Sequence, residues 1–410
     1  MPPDDRAEAA QVGADTMLVR AQDVLVRLTN DDEVGIERDG ESHLAPRVAL
    51  AVLDAFSVPR SVREVLESLP SSGPEHAAEL AICIDDLADR GILVDPALGD
   101  GEQATRGWVR PHVHLTMLDD RARTKGFCDA LRATVRPEDV VVDIGTGTGI
   151  LATRAALAGA RRVYAVESSG IAEVAARMFE SNGVADRVTL VRRRSTSATL
   201  PELASVLVTE TIGNDPLDEQ LLEIVADAKQ RLLLPGARII PSAIQIYALA
   251  VDVPRKLLEK HVFTARKLEE YRAAYEMDFS VLADHQLSST EPIMVESKDV
   301  AKWPQGPPVL LAEVDFSKPF ETWLASRVAV TVSHDTRHLG IVLAFRAKLA
   351  EGIVLSTLPG DVTKANHWAY ALFPSFDLRS LAKGETAFVE YSYDRGTTMV
   401  CVSPARDGAP

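Results

Sequence analysis

The feature that most constrains this 410-residue chain is an apolar strand that runs directly into a glycine-rich turn. The segment Val141–Ile150 reads VVDIGTGTGI, so glycine recurs at Gly145, Gly147 and Gly149. Glycine lets the backbone adopt positive φ and approach a ligand closely, and the helix expected after the turn offers free N–H groups at its start. A strand, a glycine turn and a helix in this order predict the first unit of a parallel α/β sheet with a ligand at its edge.

The spacing of the three glycines separates two classes of cofactor. The dinucleotide fingerprint G-x-G-x-x-G/A requires glycine or alanine at position 150, where this chain has Ile150. The observed G-x-G-x-G is the form used for S-adenosylmethionine, which has no pyrophosphate to hold. Glu167 ends the next predicted strand, 24 residues after Asp143, where a carboxylate can accept both ribose hydroxyls. The alternative is an ordinary strand-to-helix turn with a solvated Glu167.

Strands and helices alternate around this motif, which indicates βαβ units and a parallel sheet. The expected elements are one helix from about His114 to Thr134, strands at Val140–Ile144, Val163–Val166, Val188–Val191 and Ser205–Thr209, and helices at Ile150–Ala158 and Ile171–Ser181. From Ile239 the pattern is mostly strand-like, except for a charged helical stretch at Pro254–Ala274. The predicted fold class is therefore α/β, a Rossmann-like sheet followed by a β-rich, barrel-like domain.

A small winged-helix-like α+β module is predicted before the sheet. Two short strands flank a polar turn at 30–32, three helices follow at 47–56, 61–69 and 74–90, and a strand covers 92–94. Ser61 and Glu64 have the spacing of a helix capping box. The expected domains are a loose tail at 1–16, the module at 17–96, a linker at 97–107, the α/β domain at 108–241 and the β-rich domain at 242–410.

Composition and charge exclude several partners and sites. The chain has 60 acidic and 44 basic residues, a net charge of −16, which disfavours a nucleic-acid backbone as partner; Arg192–Arg194 is interpreted as a charged strand edge. The separated Cys83, Cys128 and Cys401 predict neither a disulfide framework nor a zinc site, and we expect no metal. Without a signal sequence or an apolar run of about 18 residues, we expect a cytoplasmic protein with no membrane contact.

Two segments carry a more specific resemblance. Val141–Ser169 resembles the protein arginine methyltransferases, and His114–Thr124, which reads HLTMLDDRART, resembles that family's H-x-x-M-L-x-D-x-x-R-T helix. The resemblance implies S-adenosylmethionine as cofactor, S-adenosylhomocysteine as product, and a bidentate pairing of Arg123 with the cofactor carboxylate. The cofactor-binding residues that it implies are His114, Met117, Arg123, Asp143, Gly145, Thr146, Gly147, Gly149, Glu167, Ser168, Thr196 and Glu210.

The catalytic residues implied by the resemblance are Glu210, Glu219 and His367. Thr209–Glu219 resembles the family's two-glutamate loop, because the two acids keep the family spacing of nine residues with a glycine at the matching turn. Paired carboxylates bind the N–H groups of a cationic nitrogen and fix its orientation. Asn366–Trp368 resembles the family's T-H-W loop with Asn in place of Thr, and its histidine can accept the proton that an amine must lose. The alternatives are a solvated acidic loop and a structural histidine.

The chain departs from this family at three points. The stretch at 108–113 has no counterpart of the Y-F-x-x-Y segment, and Thr211 replaces the aromatic residue after the first glutamate. The glutamate on the adenine side is also replaced, near Ser195–Ser197. These departures leave the acceptor open between a guanidinium and another amine.

The predicted module resembles the PqqD-like leader-recognition domains of ribosomal-peptide maturation enzymes. The resemblance rests on an ordered set of segments at 24–27, 44–50, 62–66 and 87–93. Such domains bind a leader peptide as an added strand. Joined to the catalytic half, the module resembles the methyltransferase of daptide biosynthesis, which implies a precursor peptide as partner and (di)methylation of its C-terminal amine. The alternatives are an arginine methyltransferase acting on a protein, a module that packs on the enzyme, and a non-catalytic leader-binding scaffold.

The charged stretch at Pro254–Ala274 resembles the dimer arm of the arginine methyltransferases. A helical arm at about 254–290 is therefore expected. Two-fold dimers are the commonest oligomers, and we expect a homodimer.

Overall fold

The computed structural model describes residues 13–21, 24–29, 33–38, 41–69, 73–90, 92–94, 96, 111–282, 292–361, 367–375 and 380–404. The predicted linker, most of the predicted tail, Asn366 and the arm beyond residue 282 lie outside these ranges. Two compact units make up the chain. The first comprises Met1–His114, Gly145–Ile150 and Ala165–Ala198, and the second comprises Leu115–Ile144, Leu151–Tyr164 and Thr199–Pro410.

The amino-terminal part of the first unit folds around its own apolar core. Its strands are β1 (Met17–Arg20), β2 (Leu25–Leu28), β3 (Glu33–Arg38), β4 (Glu41–Pro46), β5 (Arg60–Ser61) and β6 (Leu93–Val94), and its helices are α1 (Ala49–Ala55), α2 (Val62–Ser68) and α3 (Pro74–Asp89). In one sheet β1 lies between β5 and β6, and in another β3 lies between β2 and β4. Val34, Ile36, Val52, Phe56 and Leu87 are among the buried side chains of this core.

Local sequence signals predicted most of these elements. The antiparallel pairing of β2 with β3 confirms the expected hairpin. The capping box is also confirmed: Ser61 Oγ accepts the Glu64 N–H at 3.2 Å, and Glu64 Oε2 accepts the Ser61 N–H at 2.8 Å. The first helix begins at Ala49, two residues after its predicted start, and Glu41–Pro46, for which no strand was predicted, pairs with β3.

The tail prediction was wrong at its carboxyl end. Residues 13–16 are tied to the start of α2, because the carbonyl oxygens of Ala14 and Thr16 accept the N–H groups of Arg63 and Val62. The Arg63 guanidinium also pairs with Asp15 at 3.0 Å. Backbone groups beside a capped helix start thus hold a segment whose composition alone indicated no structure.

A five-stranded sheet carries the glycine motif. Its order is β11–β10–β7–β8–β9, with β7 (Val140–Ile144), β8 (Arg162–Val166), β9 (Val188–Val191), β10 (Ala204–Thr209) and β11 (Leu233–Ile240). β10 pairs in parallel with β7, as the alternating pattern predicted, and also with β11, which was not among the predicted strands. The helices that follow β7, β8 and β10 are α6 (Ile150–Leu157), α7 (Ala172–Ser181) and α8 (Leu221–Arg231). Every residue of β7 is buried, which explains its continuous apolar run.

The helix predicted from His114 to Thr134 is two helices. They are α4 (Pro111–Asp119) and α5 (Arg121–Thr134), and Asp120 separates them. Asp120 Oδ1 accepts the Arg123 N–H at 3.0 Å, which is the bond of a helix N-cap. The chain therefore turns at Asp120, and Arg123 lies in the first turn of a new helix.

The carboxyl-terminal half is built from antiparallel sheets. Its strands are β12 (Ala243–Asp252), β13 (Ile293–Glu296), β14 (Val309–Asp315), β15 (Trp323–Thr331), β16 (Leu339–Ala350), β17 (Ile353–Ser356), β18 (Ala369–Pro374), β19 (Thr386–Asp394) and β20 (Thr397–Pro404). One sheet has the order β13–β18–β16–β12–β14, with β17 on β16, and another has the order β15–β19–β20. This half confirms the predicted β-rich part.

The charged stretch at Pro254–Ala274 is also interrupted. It forms α9 (Arg255–His261) and α10 (Ala265–Tyr275), and a short α11 (Ser297–Val300) follows β13. Thr264 caps α10 by accepting the Lys267 N–H at 3.3 Å, so the predicted helical stretch consists of two helices. In the ranges that the structure describes, we find no helix with the length and apolarity needed to cross a bilayer.

Replacing Gly149 by alanine should destabilise the fold more than the same change at Gly159. Both glycines have positive φ, +82° and +106°, where a side chain costs about 1–2 kcal/mol. A Cβ at Gly149 would also lie 2.6 Å from Phe179 Cε1 and 3.2 Å from Ala175 Cα, whereas a Cβ at Gly159 meets nothing within 4 Å. We expect about 1–3 kcal/mol of additional loss for Gly149→Ala, measured by urea denaturation. Equal losses of unfolding free energy in the two variants would show that the contact with α7 adds nothing to the cost at Gly149.

Candidate active site

The glycine turn has the backbone conformation that its sequence predicts. Gly145, Gly147 and Gly149 have φ values of 73°, 54° and 82°, a region in which residues with side chains are strained. The N–H groups of Gly145 and Thr146 both donate to the Val166 carbonyl, at 3.0 and 3.1 Å. These bonds fix the turn against the end of β8 without using a side chain.

Glu167 follows β8 and holds the turn from one side. Its Oε2 accepts the Gly147 N–H at 2.9 Å, and its Oε1 accepts the Ser169 N–H at 2.8 Å. A carboxylate oxygen has two lone-pair sites, so both oxygens keep acceptor capacity for the hydroxyls of a ribose. Glu167 therefore has a structural role in the turn, and its remaining acceptor capacity fits the predicted contact with a ribose.

The other predicted cofactor residues of the first unit occupy different environments. His114 is buried, and its Cε1 lies 3.8 Å from the position that a Cβ on Gly147 would take. Thr146 is buried within the turn, and Ser168 is half-buried beside Glu167. Thr196 is exposed in a short 3-10 turn at Ser195–Ser197. The structure thus brings His114 close to the turn, whereas Thr196 presents its side chain to solvent.

In the second unit, Arg123 of α5 makes a buried ion pair with Glu210, the residue that follows β10. Their side chains are only 11% and 6% exposed. The Arg123 guanidinium also lies 3.8 Å from the Met117 sulfur. Burial lowers the pKa of Arg123 to about 10, although Asp120, Glu219 and the fully buried Asp143 favour its charged form. The predicted residues Met117, Arg123, Asp143 and Glu210 therefore belong to one electrostatic cluster.

This ion pair leaves two buried polar atoms without a partner among the described residues. Arg123 Nε is an unused donor and Glu210 Oε1 an unused acceptor. Buried polar atoms without partners are costly and indicate a missing ligand or solvent molecule. A carboxylate and a cationic nitrogen would satisfy them, and S-adenosylmethionine carries both on its amino-acid moiety. The residues of this pair therefore fit the amino-acid end of S-adenosylmethionine.

Glu219 is the second glutamate of the loop and differs electrostatically from Glu210. It immediately precedes Gln220, which has a φ of 61° and caps α8. Burial raises the pKa of Glu219 to about 8; the neighbouring Asp218 adds to this effect and Arg123 opposes it. One glutamate is thus ion-paired, whereas the other carries a carboxyl group that binds a proton readily near neutral pH.

His367 is held by Asp120, a residue that the sequence reasoning did not select. Asp120 Oδ2 lies 3.0 Å from His367 Nδ1 and accepts the His367 N–H at 3.1 Å. Burial lowers the pKa of His367, while Asp120 opposes that shift. Burial acts to raise the pKa of Asp120, but hydrogen bonds from His367 and Arg123 outweigh it and lower the pKa. Asp120 could have been found as the polar residue that precedes the first turn of α5.

Trp368 connects the histidine to the two-glutamate loop. Its indole Nε1 donates to the Ile212 carbonyl at 2.6 Å, and the Ala369 N–H donates to Asn214 Oδ1 at 2.7 Å. The indole also packs edge-on against Phe345, with ring centroids 5.1 Å apart. The structure therefore brings His367, the loop and the start of α5 together. Within the part of the chain that the structure describes, no group of three or more His, Cys, Asp or Glu residues is arranged to hold a metal.

Comparison with known proteins gives one family match and many relatives. The family model described as ribosomal protein L11 methyltransferase (PrmA) matches residues 121–271. Protein arginine N-methyltransferase 1 of Chlamydomonas reinhardtii is 28% identical over 280 residues, 67% of this chain and 78% of the relative. Probable protein arginine N-methyltransferase 6 of Arabidopsis thaliana is 32% identical over 199 residues, 47% of this chain but only 44% of the relative.

Solved structures share the fold. The Trypanosoma brucei PRMT1 enzyme–prozyme heterotetrameric complex with AdoHcy matches with a TM-score of 0.59 and 23% identity, covering 70% of this chain and 88% of its own. Arabidopsis thaliana protein arginine methyltransferase 10 matches with a TM-score of 0.58 and 21% identity, covering 74% and 96%. The chain is thus similar to S-adenosylmethionine-dependent methyltransferases and has the fold of the protein arginine methyltransferases.

Proposed function

We propose that the protein transfers methyl groups from S-adenosylmethionine to a nitrogen of a peptide, and that the acceptor is an amine on a leader-bound precursor, such as the C-terminal amine of a daptide. The observation that carries this proposal is the arrangement of Glu210, Glu219 and the Asp120–His367 pair within one unit. The cofactor supplies the electrophilic methyl group. The residues of the chain supply the binding and deprotonation of the nitrogen.

The glutamates hold the acceptor. Glu210 Oε1 is buried and has two lone-pair sites, so it can accept an N–H group of the acceptor as well as one from the cofactor, while Arg123 fixes the other oxygen of the same carboxylate. Glu219 provides a second carboxylate on the same loop. Charge-assisted hydrogen bonds from two sides restrict the orientation of the nitrogen, which lowers the entropic part of the barrier.

His367 removes the proton. An ammonium has no lone pair, so it must lose a proton before the nitrogen can attack carbon. The lowered pKa of His367 keeps its imidazole neutral at pH 7, and the bond to Asp120 places the remaining ring proton on Nδ1. Nε2 is then the acceptor. Because this base works only when neutral, methyl transfer should fall as the pH drops through the pKa of His367.

A second candidate acceptor is the guanidinium of an arginine side chain. The names of the relatives favour it, since they are arginine methyltransferases. The amine is supported by the departures at Thr211 and in the stretch at 108–113. Mass spectrometry of peptides incubated with enzyme and cofactor distinguishes the two. A mass gain on a terminal amine supports the amine, a gain on arginine supports the alternative, and no gain on either contradicts enzymatic peptide methylation.

The amino-terminal region supports leader binding through an exposed sheet edge. In the described part of this sheet, β2 and β4 form the two edges. Leu25 and Leu28 project from β2 and are 50% and 70% exposed. A peptide strand added beside β2 would gain backbone hydrogen bonds and cover these leucines. We therefore place the proposed leader at β2.

The arm carries an aromatic cluster that suits an interface. Tyr271, Tyr275 and Phe279 contact one another, with ring centroids 5.6–6.2 Å apart, and Tyr275 and Met277 are exposed. Aromatic side chains are enriched at protein interfaces. The cluster supports the proposed homodimer, in which α10 would contact a second copy of this chain.

Changing Asp120 to asparagine should separate catalysis from folding. Asparagine caps a helix as well as aspartate, so the melting temperature should stay close to that of the parent protein. The loss of the carboxylate removes the partner that orients His367, and we expect kcat to fall by about 10²–10⁴. Asp120→Ala is the control and should lower both kcat and stability. An Asp120→Asn variant with unchanged kcat would contradict the role of the pair.

Changing Leu28 to aspartate should weaken the use of the full precursor. A charge at the β2 edge opposes the burial of an added strand, so KM for the precursor should rise while kcat/KM for a leaderless peptide stays constant. Leu44→Asp, at a position 58% exposed on the opposite edge, is the matched control and should have no effect. If Leu44→Asp alone raised KM, the leader would bind at β4 instead.

Changing Tyr275 to glutamate should dissociate the proposed dimer. Light scattering at micromolar concentration should give twice the chain mass of 44.4 kDa for the parent protein and the mass of one chain for the variant. Val174→Glu, at another exposed apolar position, is the control and should leave the mass unchanged. If the parent protein had the mass of one chain, the dimer would be excluded.

A further inference from the structure

The two halves of the two-glutamate loop are supported by different parts of the second unit. The contacts with Arg123, Trp368 and Ala369 described above end within residues 210–214, in the first half of the loop. Glu219 lies in the second half, which these contacts do not reach. The position of Glu219 therefore depends on what holds the residues on either side of it.

The turn between β19 and β20 packs against both of these residues, Asp218 and Gln220. Its two central residues, Arg395 and Gly396, have positive φ values of 48° and 80°, as in a type I′ hairpin. A Cβ at Gly396 would lie 3.4 Å from the Asp218 carbonyl oxygen and 3.2 Å from Gln220 Cγ. The backbone of this turn thus supports the loop immediately before and after Glu219.

Tyr393, at the end of β19, joins this turn to helix α8. Its hydroxyl accepts the Gly396 N–H at 3.0 Å and donates to Glu223 Oε2 at 2.7 Å. Glu223 lies in the first turn of α8, where a negative charge is favourable. Gln220 caps the same helix without a side-chain hydrogen bond, so the start of α8 is not fixed by its own cap. One buried hydroxyl therefore links the turn to the helix that begins directly after the loop.

We propose that Tyr393 is a positioning residue for methyl transfer, which fixes the orientation of Glu219 toward the acceptor nitrogen. The inference rests on the proposed function, in which Glu219 holds that nitrogen. Tyr393 acts on the backbone around Glu219 and not on the reacting atoms. A small displacement is sufficient for a large effect, because misplacing a reacting group by about 1 Å can lower a rate by about a hundredfold.

Tyr391 provides a matched comparison on the same strand. It lies two residues before Tyr393, so both side chains point to the same face of the sheet. Both residues are buried, with exposures of 2% and 1%. The Tyr391 hydroxyl has no hydrogen-bond partner among the residues that the structure describes. Its removal therefore deletes the same atom from a similar site without breaking the link between turn and helix.

Kinetics of the full-length Tyr393→Phe and Tyr391→Phe variants test the proposal. Methyl transfer is followed by mass spectrometry at saturating S-adenosylmethionine, with one peptide that ends in a primary amine and one that contains a single arginine. For the better acceptor we expect kcat to fall about tenfold in Tyr393→Phe, which loses a hydrogen bond to a charged group, and to stay at the parent value in Tyr391→Phe.

Cofactor affinity separates positioning from general damage to the fold. Calorimetry should give the same Kd for S-adenosylhomocysteine in the parent protein and in both variants, because Tyr393 binds Gly396 and Glu223, neither of which is assigned to the cofactor. An equal loss of kcat in both variants, or weaker cofactor binding in Tyr393→Phe, would indicate a structural role and overturn the inference.

Amide hydrogen exchange measures the link without any substrate. The Gln220 N–H donates to the Leu217 carbonyl at 2.9 Å, and the Ile224 N–H donates to the Gln220 carbonyl at 3.0 Å, so both amides report on the start of α8. We expect these amides to exchange several-fold faster in Tyr393→Phe than in the parent protein or in Tyr391→Phe. Unchanged exchange would overturn the inference.

A double substitution tests whether the effect passes through α8. Glu223→Ala removes the acceptor of the Tyr393 hydroxyl, so it should lower kcat by a similar factor. Adding Tyr393→Phe to this variant should then cause little further loss, because the two residues share one interaction. Independent losses of kcat in the double variant would overturn the inference.

Failure of the proposed function has a different signature. If the parent protein methylates neither peptide, the proposed function is contradicted, whereas faster exchange in Tyr393→Phe still supports the link between the turn and α8. If the parent protein is active and Tyr393→Phe exchanges faster with an unchanged kcat, the proposed function stands and the inference is overturned.

Discussion

The carboxylate of Asp120 is the interaction on which the second unit of this protein depends. Its Oδ1 caps α5. Its Oδ2 accepts the backbone N–H of His367 and contacts Nδ1 of the imidazole. A single buried side chain therefore fixes where a helix begins and where a histidine lies, although the two are separated by 247 positions in the chain. Loss of this side chain would remove constraints from both at once.

The elements tied to Asp120 carry the remaining groups of the proposed acceptor site. Helix α5 supplies Arg123, which pairs with Glu210, and the residue after His367 supplies the indole that binds the Ile212 carbonyl. The two-glutamate loop is therefore held by Arg123 on one side and by Trp368 on the other. Burial dominates its electrostatics, because it lowers the pKa of Arg123 and raises that of Glu219. The site combines one neutralised glutamate with one that remains free to meet a cation.

Local patterns in the sequence were sufficient for the sheet and for the cofactor turn. The apolar run lies directly before Gly145, and Glu167, only 20 residues after Gly147, contacts the same turn. Both features therefore lie in neighbouring segments of the chain. The break at Asp120 was missed because the apolar residues on either side of it keep the spacing of one continuous helix. Strand β4 was missed because E-S-H-L-A-P lacks alternation and is stabilised mainly by its pairing with β3.

The long-range contacts could not be predicted from one sequence. The pairing of Arg123 with Glu210 joins residues 87 positions apart, and the contact of Asp120 with His367 joins residues 247 positions apart. The resemblance to the arginine methyltransferases selected both glutamates and His367. Its helix motif also contains Asp120, but the contact of that residue with His367 is visible only in three dimensions.

In the proposed mechanism, Asp120 holds His367 as a neutral base with its free nitrogen at Nε2. Nitrogen-15 NMR of the His367 side chain across pH 5–9 tests this arrangement, because it reports the protonation of each ring nitrogen separately. At pH 7 we expect the proton on Nδ1 and an unprotonated Nε2, and we expect the ring to titrate below the ordinary histidine pKa of about 6.5. A proton on Nε2 at pH 7, or a pKa above the ordinary value, would contradict it.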